Sequence, residues 1–127
     1  MEITFPGGVA VEASFDGFTV RTDQPLSRGG ENSAPTPFDL FLASLGTCTG
    51  FFAWRFCQER GLSTDGLRVT LETEKDAQMH RLTRISIVIH LPAGFPDKYR
   101  QAIVLAANQC SVKKAILDPP EFEVLTR

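Results

Sequence analysis

Thr36-Pro37-Phe38-Asp39-Leu40-Phe41-Leu42-Ala43-Ser44-Leu45-Gly46-Thr47-Cys48-Thr49-Gly50 reads as the first part of one long helix. Thr36 suits the N-cap and Pro37 the first helical position, where a missing N–H is no loss. Asp39 falls at the third position, where a carboxylate answers the positive end of the helix dipole. The apolar run continues through Phe51, Phe52, Ala53, Trp54 and Phe56 to Arg60, and Gly61 is the expected stop. A helix of about 24 residues is about 36 Å long. So long and apolar an element must be covered on nearly all sides, and a chain of 127 residues has little else to cover it with. The expectation is a homodimer, or an exchange of elements between two copies, with this helix central. The run from Leu40 to Phe56 falls short of the ~20 residues of a membrane crossing and contains Ser44, Thr47, Thr49 and Arg55. It is therefore expected to be a buried core helix, with no membrane partner.

Outward from this helix the chain alternates. Val9 to Phe15 and Phe18 to Thr22 read as strands joined at Asp16-Gly17, a hairpin signal, and Met1 to Phe5 adds a short first strand. Gln24 to Pro35 is rich in glycine and proline and reads as a loop. After the helix, Leu67 to Glu74 and Leu82 to Leu91 read as two strands, the second with Ile85, Ile87, Ile89 and Leu91 on one face. A second helix is expected from Pro96 or Asp97 through Ile103, Ala107 and Cys110 toward Ile116. Glu121 to Leu125 then reads as a last strand. The order βββαββαβ predicts an α+β fold, an antiparallel sheet with two main helices, in a single domain spanning residues 1–127.

Composition narrows the function. A net charge of −2 with no basic stripe argues against nucleic acid as a partner. Three cysteines are too few for a secreted disulfide scaffold, and none has metal-ligand spacing. The N-terminus has no basic and apolar leader pattern. A cytoplasmic protein with reduced thiols is expected, with neither metal nor cofactor.

The chemistry-bearing residues are thiols. Cys48 and Cys110 lie in two separate helix-like segments, and two such thiols are the smallest set that can reduce a peroxide without a cofactor. Cysteine is also among the residues most often buried as plain core, so both readings stand at this point. Helical phase separates the third. Cys57 lies nine residues beyond Cys48, about 180° around the helix, so it cannot resolve Cys48 within one helix. Asp39 is also nine residues from Cys48, which leaves it the role of helix cap.

The element order and these residues resemble the OsmC/Ohr family of thiol-dependent hydroperoxide reductases, over nearly the whole chain. The resemblance is carried by Thr36-Pro37, Leu40-Phe41, the small residues before Cys48, and the second cysteine on the second helix. Gly29-Gly30-Glu31, Ala34-Pro35 and Phe95-Pro96-Asp97-Lys98-Tyr99 match the OsmC-like subgroup. The resemblance implies an intertwined homodimer with active sites at the subunit interface, an organic hydroperoxide as substrate, and an external dithiol as reductant. It implies a role in the oxidative stress response. It makes Cys48 the peroxidatic cysteine and Cys110 the resolving one. Arg28, twenty residues before Cys48, matches the family arginine by spacing. Two positions depart from the pattern. Phe38 stands where the catalytic glutamate follows the helix-opening proline, and Ser111 stands where proline follows the second cysteine.

A reactive thiol needs an electropositive neighbour, because a free cysteine ionises near pH 8.5. Arg28 is the first candidate and Arg21 the second. Glu31, three residues after Arg28, could position that arginine; Asp39 is the other carboxylate nearby in sequence. Two further functions compete with the peroxidase. One is a non-catalytic or weakly catalytic binding module holding a small apolar ligand at the dimer interface. The other is an interaction domain that supports another protein.

Overall fold

The computed structural model describes residues 1–127. The elements run β1 Glu2–Gly7, β2 Ala10–Phe15, β3 Phe18–Thr22, α1 Pro37–Glu59, β4 Arg68–Lys75, β5 Leu82–His90, α2 Arg100–Ala107 and α3 Ser111–Leu117. Three helices and two antiparallel sheets make an α+β fold. The chain forms two compact units, Met1–Ala43 and Ser44–Arg127.

In the first unit β1, β2 and β3 form a three-stranded meander. Asp16 and Gly17 both take positive φ, 47° and 79°, the two-residue turn whose twist matches the strands it joins. Phe15 and Phe18 pair across it. The loop that follows is built around Asp23, which is 3% exposed. Its carboxylate accepts the N–H groups of Gln24 (2.8 Å), Glu31 (3.1 Å) and Ser33 (2.9 Å) and the Ser33 hydroxyl (2.7 Å). These donors hold the Asp23 carboxyl at a pKa of about 2, the Ser33 N–H and hydroxyl being the main causes. Gly30 is required by close approach, since a Cβ there would fall on the carbonyl of Gln24.

The N-terminus of α1 is a capping box. Asp39 accepts the Thr36 N–H (2.9 Å) and hydroxyl (2.7 Å), and the Asp39 N–H returns to Thr36 Oγ1 (3.2 Å). At the other end Gly61 turns left-handed, φ 63°. The Leu62 N–H reaches the Cys57 carbonyl (2.9 Å) and the Gly61 N–H the Gln58 carbonyl (3.1 Å), a Schellman closure. Both ends therefore form where the sequence places them.

In the second unit β4 and β5 pair in a hairpin, with Val69 opposite Ile89 and Leu71 opposite Ile87. The core of this unit gathers Ala53, Phe56, Cys57, Phe95 and Ile103, with Leu62, Ile89 and Tyr99 packed around it. Only one stripe of α1 is buried: Leu45, Thr49, Ala53, Phe56 and Cys57. Phe38, Phe51 and Trp54 stay exposed by 45–49%. By length and composition α1 would suit a bilayer crossing, and 28% of its most apolar stretch is buried. The expected all-round burial is thus not met within one chain.

Three further expectations are corrected. The strands form two sheets rather than one. The second helix is broken: after Asn108 the N–H groups of Gln109 and Cys110 tighten onto Ala106 and Ala107, three residues back, and Cys110 turns extended at φ −47°, ψ 115°. The cause is a local competitor, because the Cys110 thiol takes the Lys113 N–H at 3.4 Å and starts a new helix, α3. The last strand does not form, and neither sheet includes Glu121 to Leu125. Pro119-Pro120 offers no N–H, and a strand without a paired edge has nowhere to place its backbone hydrogen bonds.

Candidate active site

Cys48 projects from the middle of α1 and is half-buried, while Cys110, at the break between α2 and α3, is fully buried. The Cys110 thiol is close enough to Cys48 to draw its pKa down. Ser111 Oγ stands 3.9 Å from Cys48 Sγ, and the backbone of Ser111 and Val112 also favours the ionised sulfur. The break in the second helix is what makes this possible. It puts Ser111, the first residue of α3, beside Cys48.

Burial by itself pushes the Cys48 thiol up. The polar groups of Cys110, Val112 and Ser111 around it outweigh burial, so that the Cys48 pKa lies below a thiol's ordinary value. A partly accessible thiol whose surroundings favour the ionised sulfur is the environment of a reactive cysteine. Cys57 is the contrast. It is fully buried in the core, and burial pushes its thiol up against a smaller opposing pull from Arg60.

The remaining site candidates fall into local structures of the first unit. Arg28 closes a 3-10 turn, Leu26–Arg28, with its side chain exposed. Glu31 is exposed and gives its N–H to Asp23. Arg28 and Glu31 therefore share one loop, held from inside by Asp23. Arg21 pairs with Glu12 across β2 and β3 at 3.2 Å, and Asp39 caps α1. The structure thus brings Cys48 and Cys110 together and gives Arg21 and Asp39 structural partners.

Two residues of this arrangement were not singled out from sequence. In the sequence Ser111 is only a replacement for proline, yet its hydroxyl stands against Cys48. Asp23 organises the loop of Arg28, and its one sequence signal is its place immediately before a glycine- and proline-rich stretch. An open groove of about 370 Å³ lies between the C-terminal half of α1 and α2, with Phe52, Phe56, Ala102 and Leu105 in its wall. Gln109, the neighbour of Cys110, also lines it.

Residues 30–125 match the family model described as OsmC-like protein. No curated protein matches the chain. Solved structures share its fold. One, described as an osmotic stress induced and detoxification response protein of Psychrobacter arcticus, has a TM-score of 0.75 at 22% identity, covering 90% of this chain and 85% of its own. The organic hydroperoxide resistance protein OsmC of Legionella pneumophila has a TM-score of 0.58 at 21% identity, covering 91% and 85%. An organic hydroperoxide resistance protein of Vibrio cholerae, solved with captopril in one of its active sites, has a TM-score of 0.58 at 19% identity, covering 90% and 81%.

Proposed function

The chain belongs to the OsmC-like protein family, and on that premise we propose that it reduces organic hydroperoxides through Cys48, with Cys110 as the resolving thiol. The observation that carries this reading is the pair itself: a half-buried Cys48 with a lowered pKa, beside a buried second thiol that helps to lower it. The Cys48 thiolate attacks the terminal peroxide oxygen. The O–O bond breaks, the alkoxide leaves and takes a proton, and Cys48 becomes a sulfenic acid. The Cys110 sulfur then attacks the Cys48 sulfur and water leaves, giving a disulfide. An external dithiol reduces that disulfide and is itself oxidised to a disulfide.

The working form in this reading is a homodimer. Its support is the uncovered apolar side of α1, where Phe38, Phe51 and Trp54 face solvent in a single chain. Its place is the cytoplasm, where three free thiols stay reduced.

Titration of the reduced protein with cumene hydroperoxide tests the chemistry. The wild type should lose the Cys48 and Cys110 thiols together, and the mass of two hydrogens. Cys110→Ser should gain one oxygen, trapped by dimedone on residue 48. Cys48→Ser should leave the peroxide unconsumed, and consumption at the wild-type rate by that variant would end the proposal.

A further inference from the structure

We propose that Ser111 is a positioning residue for Cys48: its hydroxyl donates to the Cys48 thiolate and keeps that sulfur ionised and aimed. The inference rests on the reading of Cys48 as the reacting thiol and deepens it. Ser111 Oγ lies 3.9 Å from Cys48 Sγ. With a neutral thiol either atom can be the donor. Once Cys48 is ionised only the hydroxyl can donate, so the polarity of the contact is fixed and the contact shortens.

The fold explains why this residue holds the position. Cys110 ends one helical course and caps the next, which makes Ser111 the first residue of α3. A side chain there stands at the mouth of the break, and Ser111 is exposed. Its rotamer is free to follow the sulfur. The other groups near the break are otherwise engaged or belong to the pair. Cys110 is the titratable neighbour of Cys48. On α3, Lys113 is held to Asn108, and Lys114 to Gln109 at 2.6 Å.

A serine at this position also keeps its backbone N–H, one of the groups that lower the Cys48 pKa. Proline would remove the hydroxyl and the N–H together while fitting the first turn of a helix. Alanine would remove the hydroxyl alone, and threonine would restore it. This graded set separates a role at the sulfur from a role in folding.

The test is the rate of Cys48 alkylation by iodoacetamide against pH, followed by peptide mass, in wild type, Ser111→Ala, Ser111→Thr and Ser111→Pro. The midpoint should move up by about half a pH unit in Ser111→Ala, about a threefold loss of rate below the midpoint. It should move at least as far in Ser111→Pro and return toward wild type in Ser111→Thr. Thermal unfolding of the Ala and Thr variants should coincide. An alanine profile that superimposes on wild type, or a threonine profile displaced like alanine, overturns the inference. Alkylation needs no peroxide, so the two proposals fail separately. A shifted profile in a protein that consumes no hydroperoxide leaves the Ser111 role standing and removes the peroxidase.

Discussion

The thiol of Cys110 accepts the backbone N–H of Lys113 at 3.4 Å, so one sulfur serves both as the neighbour of Cys48 and as the N-cap of α3. The two duties compete. A disulfide to Cys48 draws the sulfur toward α1 and leaves the first turn of a seven-residue helix without its cap. Oxidation should therefore loosen Ser111–Leu117, read as faster amide hydrogen exchange at Lys113 and Lys114 in the oxidised protein. In the reduced protein Cys110→Ala should lose about 1 kcal/mol of stability, whereas Cys110→Ser, with a better capping atom, should lose less. Equal protection of α3 in both redox states would show that the cap survives the disulfide.

The three cysteines should separate by reactivity. Cys48 is accessible and ionises easily; Cys57 is sealed in the core with a raised pKa. Native protein treated with iodoacetamide near neutral pH should carry the label on Cys48 at least about tenfold faster than on Cys57. Cys57 should label only when the fold opens. Peptide mapping over time checks this, and comparable native labelling of Cys57 contradicts it.

Local signals carried far in this chain, and non-local ones did not. The Asp16-Gly17 turn, the Thr36–Asp39 capping box and the Gly61 stop are each decided within a few residues, and each is legible in the sequence. The break at Cys110 is not. Ile103, Ala107 and Cys110 keep a helical period straight through it, and a thiol is outside the usual set of capping groups. The alternation of Glu121 to Leu125 suggests a strand, but a strand also needs a paired edge, and alternation says nothing about one. Asp23 was hidden for a similar reason, since its partners lie eight and ten residues away. The pairing of Cys48 with Cys110 came from family resemblance. The contact of Ser111 with Cys48 came from the break, which that resemblance did not contain.

Asp23 gives the first unit a defined acid limit. Its folded pKa of about 2 lies below an ordinary aspartate near ~3.9. A depressed carboxyl contributes stability that is complete above the unfolded pKa and is lost as pH falls through the folded one. The contribution should thus be full above about pH 4 and fade toward about pH 2. Asp23→Asn should be less stable than wild type at neutral pH, and the gap should close as pH falls through that window. Denaturant unfolding of the two proteins across the range measures it. A gap that stays constant with pH would mean that the carboxylate charge plays no part in holding the loop.

Thr49 follows Cys48 on α1, and its hydroxyl is buried with no hydrogen-bond partner. An unsatisfied buried polar atom costs about 1–3 kcal/mol. Valine has nearly the same shape without the hydroxyl, and the two residues have similar helix propensity. Thr49→Val should therefore raise stability, by about 1 kcal/mol once relaxation at the site is allowed for. Because Thr49 belongs to the buried stripe of α1 and makes no contact with the Cys48 sulfur among its hydrogen bonds, the pH profile of Cys48 alkylation should stay in place. Chemical unfolding and alkylation of the same preparation read both effects. A loss of stability in Thr49→Val would mean that the hydroxyl has a partner in solution, an ordered water bridging it to the helix backbone being the chemistry that fits.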